Sequence, residues 1–285
     1  MDKNKIKKIL AEARINGYAI PHFNFAGFFE LLAIMEAAAE LKAPVFVASL
    51  PPVAKTYDVD VLSLMVKKLR ERTGCTAMLH LDHSNDVELC LRAVDAGYDS
   101  VMIDASSLSL DGNIAEVSKV VEYASARGCI VEGEIGRIKG RGDEGNFDGD
   151  DYLVQPDDAF ALARDSGVDM LAVGIGTAHG FYKGEPQINF KRLSEVASKV
   201  SIPLVMHGGT GIPEKDVRKC IKEGITKVNV GTIIRYTYQK ALKEEIEHRG
   251  AETPPLDIMV PAVTDKVKQV IKEWIITCMA DNTAI

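Results

Sequence analysis

Apolar residues in this chain fall into short runs rich in β-branched and aliphatic side chains. Between those runs they recur at the three- and four-residue spacing of a helix face. The runs predict strands over 18–24, 44–49, 77–82, 100–104, 130–134, 170–173, 203–207 and 227–230. Helical patterns intervene, for example over 28–41, 86–95, 114–126, 156–166 and 190–199, each ended or followed by Gly or Pro. The opening MDKNKIKKILAEA, with its lysines on one side, reads as a first helix. Strands alternating with helices imply a parallel sheet, and eight such repeats imply a closed (β/α)8 TIM barrel with an additional C-terminal helix over 257–279. All 285 residues then form a single domain, with no Ser/Pro-rich linker to mark a second one. The segment 136–151, GRIKGRGDEGNFDGDD, breaks the rhythm: Gly-rich, charged and too long for an ordinary connection, it reads as a mobile loop over a site.

Composition narrows the partners. Lys and Arg total 34 against 41 Asp and Glu, a formal charge of -7, and no basic block is present, so no nucleic acid is expected. No apolar run approaches the roughly 20 residues that cross a bilayer, so no membrane is expected either. The beginning of the sequence lacks the apolar core of a secretory signal. Five cysteines, odd in number and never in a CxxC pair, fit reduced thiols buried as small hydrophobes, and hence a cytoplasmic protein.

In a (β/α)8 barrel the chemistry gathers at the C-terminal ends of the strands, and here nearly every strand ends in a polar residue. Strand one ends at Asn24, strand two at Ser49, strand three at Asp82 and His83, strand four at Asp104, and strand five at Glu132 and Glu134. Strand six leads through GIGTAHG to His179, strand seven ends at His207 and strand eight at Asn229. Any one histidine alone reads equally well as a hydrogen-bonded cap on the rim. Three converging on one mouth point to a metal: neutral imidazoles suit Zn²⁺, and three protein ligands leave the open position of a catalytic site. Asp104 and Glu134 can hold a second divalent cation or orient the first ligands, although Asp104 could also serve as a helix N-cap. His22, His80 and His248 lack this placement and read as structural or surface residues. HGGTGI after strand seven and VNVGT after strand eight each offer backbone N–H groups at a helix start, where such barrels commonly bind phosphate. A phosphorylated small substrate follows.

HLDHS at 80–84, MIDAS at 102–106, VEGEIG at 131–136, GTAHGFYKGEP at 176–186, PLVMHGGTGIP at 203–213 and KVNVGT at 227–232 resemble, in order and spacing, the class II metal-dependent fructose- and tagatose-bisphosphate aldolases. The resemblance covers essentially the whole chain. It implies that His83, His179 and His207 bind catalytic zinc, that Asp82 moves the proton of the substrate hydroxyl, and that Asp104 and Glu134 bind a second metal. It implies further that Asn24, Gly180, Gly208, Gly209, Thr210 and Gly211, with Asn229, Val230, Gly231 and Thr232, hold dihydroxyacetone phosphate and the sugar, with Ser49 near the sugar's other end. A homodimer or homotetramer is the assembly it implies. The chemistry is coherent: cleaving a ketose C3–C4 bond needs a base for the C4 hydroxyl proton and an electrophile for the resulting enediolate, without a lysine Schiff base.

Three positions depart from the family pattern. The loop after strand five usually supplies a glutamate as base for dihydroxyacetone phosphate; here Gly142 stands in its place, so Asp143 or Glu144 must substitute, and Glu144 is the candidate. Ser84 replaces a glycine or cysteine. Gly231 stands where fructose-specific members carry Asp or Asn and tagatose-specific members carry Ala, which leaves the sugar's stereochemistry open between fructose and tagatose bisphosphates or another ketose phosphate. Outside the family, the same histidines could activate water in a hydrolase, or the altered loops could leave a phosphosugar-binding barrel without turnover.

Overall fold

Every strand residue except Asn24 is buried, as expected when a parallel sheet is closed within and covered by helices without. The computed structural model describes residues 1–138, 152–250 and 255–284. Its strands are β1 (Ile20–Asn24), β2 (Val45–Ser49), β3 (Ala77–Ser84), β4 (Ser100–Ile103), β5 (Ile130–Ile135), β6 (Met170–Val173), β7 (Leu204–Met206) and β8 (Ile225–Val230). They pair in sequence order, all parallel, and β8 closes onto β1. The eight predicted strands are all present, with no end moved by more than two residues.

Around them run α1 (Lys3–Asn16), α2 (Phe28–Glu40), α3 (Pro51–Tyr57), α4 (Val59–Thr73), α5 (Val87–Asp95), α6 (Leu110–Ser125), α7 (Pro156–Ser166), α8 (Phe190–Lys199), α9 (Glu214–Lys222), α10 (Thr232–Arg249) and α11 (Leu256–Thr277). The last is the expected additional helix. It packs across α2 and α10, and its Lys268 bonds Glu40 of α2 at 3.1 Å. α6 begins earlier than its apolar pattern suggests because Ser109 caps it, accepting from the Gly112 N–H at 3.3 Å. All five cysteines are buried and unpaired. No described helix is long and apolar enough to cross a membrane.

Register determines what the barrel encloses. Partnered residues on parallel strands face the same way, and His22↔Phe46, Ala48↔His80, His80↔Ser100, Met102↔Glu132 and His22↔Asn229 are partners. The two-residue period of β8 sets Lys227 on the same face as Asn229. His22, His80, Glu132 and Lys227 therefore point into the lumen, where all four are fully buried. The upper barrel thus has a polar interior lying beneath the C-terminal strand ends.

Candidate active site

Alternation along β3 points His80 and Asp82 inward and should point His83 outward. Two linked irregularities prevent that. The β3–β4 register shifts between Leu81 and Ser84, and His83 has a left-handed backbone, φ +52°. Such a conformation is unfavourable for a residue with a Cβ and clusters at functional sites. Here it swings the ring over the mouth, with its centroid 4.4 Å from that of His207 and 5.0 Å from that of His179. His207 follows β7 directly, and His179 comes from the connection after β6. One ring nitrogen from each of the three lies within 4.8 Å of the others.

Carboxylates behind these rings set which nitrogen faces inward. Glu132 Oε1 lies 2.8 Å from His207 Nε2, and Asp104 Oδ2 lies 3.0 Å from His83 Nδ1. Each carboxylate takes its ring's N–H, so the lone-pair nitrogens are His207 Nδ1 and His83 Nε2, 2.7 Å apart. Burial, aided by the neighbouring His83, lowers the His207 pKa to about 4 against the pull of Glu132. A neutral imidazole is the metal-binding form, so the donor set fits a Zn²⁺ ion. His83, Asp104 and Glu134 form a second such group, again within 4.8 Å. Asp104 caps no long helix; its Oδ1 accepts from the Ser106 hydroxyl at 2.8 Å, and burial, which raises its pKa, is outweighed by His83.

Asp82 stands beside the metal group. Asn24 Nδ2 donates to its Oδ2 at 2.8 Å, His22 Nε2 lies 3.5 Å from the same oxygen, and His80 Nε2 is 3.9 Å from Oδ1. Burial pushes the carboxyl up, but the imidazoles of His83, His22 and His207 outweigh it and hold the group well below the usual carboxylate range. His22 and His80, read from sequence as structural or surface residues, are thus lumen residues packed under the acid. His248 does lie on the surface.

Above Asp82, His83 and His179 opens a cavity of about 520 Å³. One wall is a glycine cradle from the loops after β6, β7 and β8, contributed by Gly180, Gly208, Gly209, Thr210, Gly231 and Thr232. Gly208 has φ +69°, and a Cβ there would sit 2.4 Å from the Ala178 carbonyl oxygen, so only glycine lets the two loops meet. Tyr182 locks the junction: its hydroxyl accepts from the Ala178 N–H at 2.9 Å and donates to the Gly208 carbonyl at 3.0 Å. The Gly209 N–H bonds the Asn229 carbonyl at 2.9 Å, and Thr210 Oγ1 accepts from the Ile233 N–H at 3.2 Å in the first turn of α10. The opposite wall is apolar, from Phe25, Leu50, Pro52 and Val53, with Glu30 and Arg235 at its edge.

Several expected sugar contacts lie elsewhere. Ser49 faces outward from β2, fully buried, with its hydroxyl 3.1 Å from Tyr98 OH, because alternation gives the lumen face to Phe46 and Ala48. Val230, the partner of Phe23, also faces outward, and Gly211 packs under Tyr182; neither lines the cavity. Asn24 does line it, but its amide is engaged by Asp82. Gly142, Asp143 and Glu144 lie outside the described residues. Sequence reasoning gave no role to Glu132 or Lys227. Alternation was the available signal: VEGE sets both glutamates on one face, and KVN sets a lysine beside Asn229 inside an apolar strand.

The chain matches the family model described as fructose-bisphosphate aldolase class-II over residues 4–283. It is 38% identical over 275 residues to a fructose-bisphosphate aldolase of Staphylococcus epidermidis, covering 94% of this chain and 96% of that one. A fructose-bisphosphate aldolase of Staphylococcus aureus is 37% identical with the same coverage. Among solved structures, the YdjI aldolase of Escherichia coli K12 superposes with a TM-score of 0.86 at 29% identity over 98% of both chains. A barrel whose mouth joins three histidines, an acid and a glycine cradle, in a sequence matched end to end, makes this chain a member of the class II fructose-bisphosphate aldolases, which are metal-dependent aldehyde-lyases.

Proposed function

We propose that the protein reversibly cleaves fructose 1,6-bisphosphate to dihydroxyacetone phosphate and glyceraldehyde 3-phosphate, with zinc held by His83, His179 and His207. The observation that carries this reading is the grouping of the three ring nitrogens within 4.8 Å of one another beside a buried carboxylate and under a glycine cradle. Zn²⁺ on these nitrogens supplies Lewis acidity for negative charge developing at a ketone oxygen.

The chain's own groups do the rest. Asp82, ionised and steadied by the Asn24 amide, takes the C4 hydroxyl proton during cleavage and returns it in condensation. Backbone N–H groups of the cradle and the first turn of α10 bind the phosphate of the dihydroxyacetone half. Asn229 lines the same cavity: its Oδ1 is held by Lys227 at 2.9 Å, and its buried Nδ2 has no partner among the described residues. Asp104 orients His83 and, with Glu134, is the candidate for a second divalent ion. Glu144 is the candidate base for the proton exchanged at dihydroxyacetone phosphate.

One assay tests the reading. Zinc-loaded protein is given fructose or tagatose 1,6-bisphosphate, triose phosphate is followed with and without EDTA, and both sugars are repeated on Glu144→Ala and Asp143→Ala. Chelator-sensitive cleavage, faster with fructose and lost far more in Glu144→Ala, is the expected result. Preference for tagatose would move the substrate assignment to that sugar, and phosphate release without an aldehyde would overturn the reaction class.

A further inference from the structure

Lys227 is a lysine with no exposed surface, inside the barrel. A buried ammonium is tolerated only when other groups replace its water. Its Nζ donates to Glu132 Oε2 at 2.8 Å and to Asn229 Oδ1 at 2.9 Å. The other oxygen of that glutamate, Oε1, takes the Nε2 proton of His207 at 2.8 Å. One cation is therefore joined on one side to a candidate metal ligand and on the other to a side chain lining the cavity.

The donor inventory makes the arrangement directional. Lysine only donates, so Asn229 must present its oxygen to Lys227, which leaves its NH₂ for another acceptor. Glu132 accepts from both neighbours, so the His207 proton is held on Nε2 and the lone pair on Nδ1, the atom facing His83. Without the ammonium, Glu132 Oε2 would lose the donor that fixes the carboxylate's rotation, and with it the aim of Oε1 at His207 Nε2.

Building on the reading of His83, His179 and His207 as metal ligands, we propose that Lys227 is a positioning residue which, acting through Glu132, fixes the His207 ring for zinc and at the same time fixes the donor face of Asn229. The lysine does not touch substrate or metal and forms no Schiff base; its amine is fully occupied with holding these two side chains.

Because removing one member of a buried ion pair can unfold a domain, two variants are needed: Lys227→Met, and Lys227→Met/Glu132→Met, which deletes both charges. Wild type, His179→Ala and both variants are stripped of metal, checked for fold by circular dichroism, and titrated with zinc against a chromophoric chelator. Cobalt(II) absorption spectra are recorded in parallel. Zinc affinity should fall about ten- to a hundredfold in Lys227→Met, as for other partners that orient a ligating histidine, and in the folded double variant too, with an altered cobalt band in each. A folded double variant with wild-type zinc affinity and an unchanged cobalt spectrum overturns the proposal. Wild type that takes up no zinc, or His179→Ala that binds as tightly as wild type, overturns the metal reading and the proposal with it.

Discussion

Asp99 and Asp82 are both almost wholly buried carboxylates at the ends of barrel strands. Asp99 precedes β4 at the N-terminal end of the barrel. There it accepts from the Leu79 N–H at 2.6 Å and bonds the Arg70 guanidinium. Asp169, before β6 at the same end, is treated alike, with Lys7 at 2.7 Å, Lys3 at 3.1 Å and the Val131 N–H at 3.0 Å. At the other end Asp82 has the Asn24 amide and a ring of imidazoles, and its Oδ1, both ring nitrogens of His22 and Nε2 of His80 find no hydrogen-bond partner among the described residues. Buried polar atoms are ordinarily satisfied, so the first arrangement is built for stability. The second sets its carboxylate among imidazoles at the wall of the cavity, an arrangement suited to chemistry.

Removing the carboxylate charge at each end would test this contrast. The larger effect belongs to the mouth. Asp82→Asn keeps an acceptor for Asn24 but removes the base, so kcat should fall about a thousandfold, the middle of the range for a lost general base, while the melting temperature holds. A comparable loss of stability would mean that Asp82 is structural, like Asp99. At the floor the expected outcome is reversed. Asp99→Ala leaves the Arg70 charge and the Leu79 N–H without their acceptor and should cost about 3 kcal/mol in chemical denaturation, with kcat per folded molecule unchanged. A fall in kcat would join the two ends and erase the distinction.

The contrast also explains what the sequence did and did not disclose. The barrel was legible because short apolar runs and 3.6-period helices alternate from end to end; Asp82, His83 and His207 were legible because they close such runs, and His179 because a glycine-rich turn leads to it from one. Ser49 was misplaced because a strand end names a position along the axis but not a face; alternation from Phe46 sends it outward to Tyr98. His83 is the converse case, since alternation alone would send it outward and only the bulge with its left-handed backbone brings it back. Glu132 and Lys227 were passed over because each lies one alternation below the rim, where the sequence shows an acid and a base in separate strands and nothing to say that they meet. The pairing of β8 with β1, and so the closure of the barrel, is what brings them together.

Acid is the mildest way to separate the two ends. Burial lowers the pKa of His22, His80 and His207, with the Lys227 charge as the next cause for the first two and His83 for the third, and His207 comes down to about 4. An imidazole kept neutral by folding binds fewer protons in the native chain than in the unfolded one. Its contribution is therefore complete above the ordinary value near 6.5 and is lost as pH falls from there toward about 4. The upper part of this window, down to pH 5, lies above the range in which carboxylates ordinarily titrate, so a loss there reports the mouth and not the ion pairs of the floor. Metal-free protein titrated with urea should lose about 2 kcal/mol between pH 7 and pH 5 from His207 alone, and His207→Ala should flatten that part of the curve. A flat profile in the wild type would mean that the native barrel takes up protons on these rings as readily as the unfolded chain does, so that burial does not hold His207 neutral through this range.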